Sequence, residues 1–99
     1  MTGGTALTSQ GVQDLVAKNR VAKAANYHAS QKGIRFADIV LALMGCIRID
    51  HDRRPEHPKG WVAFCPQWGG TLMRVHFNLE NRDDGDIILV VTAMDVVRQ

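Results

Sequence analysis

The chain is short of the features that make a function easy to read. It has two cysteines, three prolines, two tryptophans and one tyrosine in 99 residues. Two thiols cannot build a disulfide scaffold, and Cys46 and Cys65 lie far apart in apolar, strand-like surroundings, so both are expected reduced and buried. There is no C-x-x-C or H-x-x-x-H pair; His51, His57 and the two cysteines make four zinc ligands only on paper. No metal and no cofactor is therefore expected. The longest apolar run, Ile87 to Val91, is strand-sized, which argues against a membrane span. Met1-Thr-Gly-Gly-Thr has neither a basic nor an apolar leader region, so a cytoplasmic location is the expectation. A formal charge of +2 permits contact with RNA or an acidic protein without demanding either. A glycine-rich phosphate loop, a nucleophile elbow and a His-Glu metal motif are all missing. Asp83-Asp84-Gly85-Asp86 has a calcium-like composition but no downstream Glu, and reads as a turn.

What remains is hydrophobic patterning. Residues 1–7 read as a disordered tail and 8–99 as one domain. Thr8 or Ser9 can cap a helix starting near Gln10, with Val12, Leu15 and Val16 on its apolar side. It can run to Lys32 with Gly33 as its stop, or break near Asn26-Tyr27-His28. A second helix fits Phe36 to Met44, where Phe36, Ile39, Val40 and Leu43 form a stripe, and Gly45 ends it. The period then switches to two. Cys46 to Asp50 alternates, placing Ile47 and Ile49 on a core face and Arg48 and Asp50 opposite. His51 to Gly60 holds two prolines and many charges, and must be a loop. Strands follow at Trp61–Cys65, Thr71–Leu79 and Asp86–Ala93, the last two joined by a turn at 81–85. Helices followed by strands imply an α+β fold: two N-terminal helices on one face of a four-stranded antiparallel sheet, with Asp86–Ala93 central.

The strand Leu72 to Leu79 carries the most chemistry. Met73, Val75, Phe77 and Leu79 point to one face, while Arg74 and His76 share the other. Arg48 joins them if Ile47 and Ile49 are core. Metal-free RNA cleavage needs a base for the 2′-OH, cations for the phosphorane and an acid for the leaving oxygen. Histidine as a residue type suits the proton work, which makes His76 the candidate, and Arg74 and Arg48 present forks that fit phosphate oxygens. The bland alternative is a solvated sheet face bearing ordinary polar residues. His28 is either a second acid/base or stacking group, or half of an amphipathic Tyr27-His28 surface pair. Lys32 adds positive charge near it, and Arg53 and Arg54 either grip a phosphate backbone or belong to a solvated loop. Trp61 lies on the open face if Val62 and Phe64 are core, and in the core if they are not.

Gly33-Ile34, Asp38-Ile39, Ala42-Leu43, Gly45, Ile47, Arg74-Val75-His76 and Val90-Val91-Thr92-Ala93 together resemble the RelE/BrnT-like superfamily of small bacterial toxins. The resemblance implies an α+β fold with helices ahead of an antiparallel sheet. It also implies a ribonuclease-type toxin neutralised by an antitoxin protein. Relatives carry a His-Ala ahead of an Arg-rich helix leading to Arg-Gly-Ile. Here His28-Ala29 stands five residues before Gly33, Lys32 replaces the Arg, and Arg35 stands where Ser or Thr usually caps the next helix. Two expectations follow. The first is a metal-independent endoribonuclease with His76, Arg74 and Arg48 at its centre and Lys32, His28, Arg53, Arg54 and Trp61 binding RNA. The second is a non-catalytic module that binds a partner protein through the open sheet face. A homodimer is compatible with both.

Overall fold

The computed structural model describes residues 7–28, 33–52, 54–56 and 59–97. The expectations for Lys32, Arg53, His57 and the first six residues fall outside them. Two helices, α1 (Ser9–Ala17) and α2 (Phe36–Leu43), cover one face of a five-stranded mixed sheet. Its strands are β1 (Val21–Lys23), β2 (Arg48–His51), β3 (Gly60–Pro66), β4 (Thr71–Arg82) and β5 (Gly85–Val97), in the order β1-β5-β4-β3-β2. The α+β class and the one-sided helices agree with the sequence. The four-stranded, wholly antiparallel sheet does not, because β1 lies between the helices and pairs parallel with β5. Among the described residues no helix is long and apolar enough to cross a membrane.

The first helix stops far short of Lys32. Thr8 caps it, its Oγ1 accepting from the Gly11 N–H at 3.0 Å. At the other end Asn19 takes a positive φ of 58°. The Asn19 N–H then reaches the Val16 carbonyl (2.9 Å) and the Arg20 N–H reaches the Leu15 carbonyl (2.8 Å). That pair of bonds is a Schellman stop, with Asn doing what Gly more often does. The chain leaves extended, and the Ile88 N–H donates to the Arg20 carbonyl at 3.0 Å to begin the parallel pairing. Helix α2 starts and ends close to the expected positions, with the Asp38 carboxylate accepting from the Arg35 N–H at 3.0 Å.

The core is the stripe Val12, Val16, Ile39, Ala42 and Leu43 of the helices against Ala63, Cys65, Met73, Val75, Phe77, Ile88, Val90 and Ala93 of the sheet. Burying such a set supplies the main stabilising term. Ile47 departs from expectation: it precedes the edge strand, outside the helix footprint, and is 66% exposed. Cys46 and Cys65 are free and buried. The Cys65 thiol hydrogen-bonds to Cys46, which lowers the Cys46 pKa and raises that of Cys65. Cys46 in turn donates to the Ser9 carbonyl at 3.6 Å, tying β3 to the start of α1.

Arg20 also clamps the β4–β5 turn. Its guanidinium meets both Asp84 carboxylate oxygens (2.9 and 3.1 Å) and the Asp86 and Gly85 carbonyls. The Arg20 hydrogen bond and charge hold the Asp84 carboxyl below its ordinary value of 3.8. A depressed carboxylate pKa stabilises the fold above the unfolded value and loses that contribution as pH falls through the folded one. The stability difference between wild type and Arg20→Ala should therefore narrow from about pH 7 to about pH 2. Urea midpoints at the two pH values measure it. A difference that stays constant would assign the Arg20 contribution to the carbonyl bonds alone.

Candidate functional site

The face of the sheet away from the helices is built from cross-strand rows. One row runs Arg48, Phe64, Arg74, Met94, and the next runs Asp50, Val62, His76, Thr92. Pairing decides what alternation within β3 leaves open. Trp61 lies opposite Phe77 and His51 on the helix side, so Val62 and Phe64 point to the open face. Trp61 packs against the core and stacks on the His51 ring at 3.8 Å between centroids and 30° between planes. It is therefore not a neighbour of Arg74 and His76.

Arg48 shares their face but does not converge with them. Phe64 stands between Arg48 and Arg74 in the row, a separation of two strand spacings, or about 9–10 Å. The Arg48 guanidinium lies 5.2 Å from the Phe64 ring centroid and pairs with Asp50 at 2.8 Å. Arg74 is half-buried, with Nη2 3.2 Å from the Met94 sulfur. Its buried Nε meets no hydrogen-bond partner among the described residues.

His76 does gain neighbours, and a bulge supplies them. Phe77 pairs with Val90 but His76 pairs with Thr92, so Val91 is an extra residue in β5. The chain leaving β1 attaches there. The Ala24 N–H donates to the Val90 carbonyl (2.9 Å), and the His28 N–H donates to the Val91 carbonyl (2.9 Å). Between these anchors Tyr27 packs edge-on against Phe36 of α2, with centroids 5.9 Å apart and planes at 89°. Lys23 Nζ sits 5.2 Å from the Tyr27 ring. The Tyr27-His28 pair is thus split: the tyrosine is half-buried under α2 and the histidine is exposed on the other side.

His28 and His76 line one cleft of about 310 Å³, together with Asn26, Asn78, Thr92 and, on the opposite wall, Asp52 and Arg54. Gly60 lies in its floor, opposite Asn78, and brings no side chain to fill it. His28 Nδ1 is 3.2 Å from the Asn26 carbonyl oxygen, a contact that orients the ring when that nitrogen carries the proton. Arg54 reaches the rim with its side chain 54% exposed, while Asp52 is 8% exposed. Their ion pair is 2.7 Å long, and the Asp52 hydrogen bonds hold the Arg54 guanidinium above its ordinary value. The cleft thus brings two imidazoles to one opening, with a cation fixed at its edge. Asp52 is not marked by the sequence, Asn26 appears there only at a possible helix break and Thr92 only within the Val90-Val91-Thr92-Ala93 run; Asn78 shares the alternating face of His76 and is legible on that ground. Among the described residues no three His, Cys, Asp or Glu side chains gather into a group able to hold a metal ion. No protein-family model matches this chain, and no curated protein or solved structure matches it.

Proposed function

We propose that this cleft cleaves RNA without a metal, by attack of a ribose 2′-OH on the adjacent phosphate. The observation that carries the reading is the meeting of His28 and His76, distant in sequence, on one cleft with Arg54 at its rim. One imidazole takes the 2′-OH proton while the other protonates the departing 5′-oxygen. Arg54 supplies positive charge for the phosphorane at the rim, while Arg74 stands one row away on the same sheet face and does not line the cleft. Arg48 and Trp61 have no part in this arrangement. The resemblance in Arg74-Val75-His76 and Val90-Val91-Thr92-Ala93 extends the proposal to a bacterial toxin whose activity an antitoxin protein blocks.

A second reading has its own observation. Val62, Phe64, Leu72 and Met94 leave half-buried apolar surface on the helix-free face, which would suit a partner protein better than RNA. One assay separates the two: RNA cleavage by wild type and His76→Ala, each with and without EDTA. The ribonuclease reading expects wild-type cleavage in both buffers and its loss in the variant. Equal cleavage by the two proteins removes His76 as a catalytic residue, and loss with EDTA removes the metal-free mechanism. No cleavage by either protein leaves the partner-binding reading.

A further inference from the structure

Strand β2 ends the sheet, and among the described strands it is paired on one side only. The direction of its free groups follows from one bond. The Asp52 N–H donates to the Gly60 carbonyl at 2.9 Å, making these two a hydrogen-bonded pair. Alternation then turns the backbone of Arg48 and Asp50 towards β3, and that of Ile49 and His51 outwards. The Ile47 N–H is spent on the Phe64 carbonyl at 2.9 Å. An edge with free N–H and C=O groups is a template for another strand unless something blocks it. The strand Arg48-Ile49-Asp50-His51 carries no proline and no lysine, and its four residues pair with β3 in continuous register.

We propose that β2 pairs antiparallel with β2 of a second copy of this chain, about a twofold axis through Ile49. The register follows from charge. Outward-facing residues must meet outward-facing residues, so the strands can slide only in steps that preserve this parity. With Ile49 opposite its own symmetry mate, Arg48 of each copy faces Asp50 of the other. Sliding one way sets Arg48 against Arg48, and sliding the other way sets Asp50 against Asp50. Like charges directly opposite are destabilising, so a single register is favoured. In that register the Arg48–Asp50 ion pair within each copy becomes part of a square of alternating charge.

Exposed apolar surface abuts the same edge: Ile47, the residue before Arg48, is 66% exposed. Twofold pairing is also self-consistent, because the same patch serves both copies and the assembly closes. This inference does not depend on the ribonuclease reading.

The test is the mass of the full chain in solution, by light scattering or sedimentation across a dilution series. Wild type should dimerise. Asp50→Arg and Arg48→Asp should each set like charges opposite one another twice per dimer, weakening self-association on the order of a hundredfold. Both side chains are at least 42% exposed, so circular dichroism and thermal melts of the variants should match wild type. Mixing the two single variants should restore a dimer, since the strand carrying two arginines then faces the strand carrying two aspartates. The double variant R48D/D50R should dimerise alone. A wild type that stays monomeric throughout, single variants that dimerise like wild type, or a mixture that stays monomeric would each overturn the proposal.

Discussion

Replacing Phe77 with alanine should cost roughly 3–5 kcal/mol of folding stability, the range for emptying a fully buried aromatic site. Phe77 is 1% exposed and leads the fully buried side chains by volume. It sits on the helix face of β4 between Trp61 of β3 and Val90 of β5, so neither flanking strand can move in without breaking its ladder. A chain of 99 residues has on the order of 5–15 kcal/mol in all, so the variant should be close to unfolding at ambient temperature. Urea titration checks this: the midpoint should fall sharply at nearly constant slope. A loss below about 1 kcal/mol would mean that the site collapses around the missing ring, contrary to the packing described.

Phe77 is also where the sequence is most readable. Met73, Val75 and Phe77 alternate with Arg74, His76 and Asn78, and the structure buries the first set and leaves the second half-exposed. Alternation suffices there because only one face is apolar. It fails in Trp61-Val62-Ala63-Phe64-Cys65, where both faces are apolar and only pairing with His51 and Phe77 decides which is core. It fails again at β1. Val21–Lys23 is too short to look like a strand, and the partner that makes it one arrives at Ile88–Val90. A local mark is present in Asn19, whose left-handed conformation ends the helix. The cleft is harder still. Arg74 and His76 can be paired by parity, but His28 is anchored beside the same cleft through the bulge at Val91, and Val90-Val91-Thr92 has no local feature to announce one. Arg48 shows the opposite error: shared parity puts it on the right face and overlooks the strand between.

If the cleft cleaves RNA as proposed, deleting Val91 should reduce cleavage to the same extent as removing a histidine, on the order of 10²–10⁴-fold, while leaving the sheet in place. Val91 is the extra residue of the bulge, so without it Thr92 follows Val90 directly. The in-and-out alternation of β5 then survives on both sides: Val90 and Ala93 stay core, and Thr92 still faces the cleft beside His76. What disappears is the Val91 carbonyl that receives the His28 N–H at 2.9 Å, and with it the anchor holding His28 at the cleft. Val91 is 9% exposed, so its loss also removes buried apolar surface worth about 1.5–3 kcal/mol, less than the Phe77 site. A cooperative melt must therefore accompany the activity measurement. The pH profile separates misplacement from general damage. His28→Ala should change the shape of the wild-type pH–rate profile, and the deletion should reproduce the profile of His28→Ala. Adding His28→Ala to the deletion should cost little more, because both changes remove one interaction. Full activity in the shortened chain would mean that His28 does not work through the bulge. A further large loss in the combined variant would mean that Val91 acts on the cleft by another route.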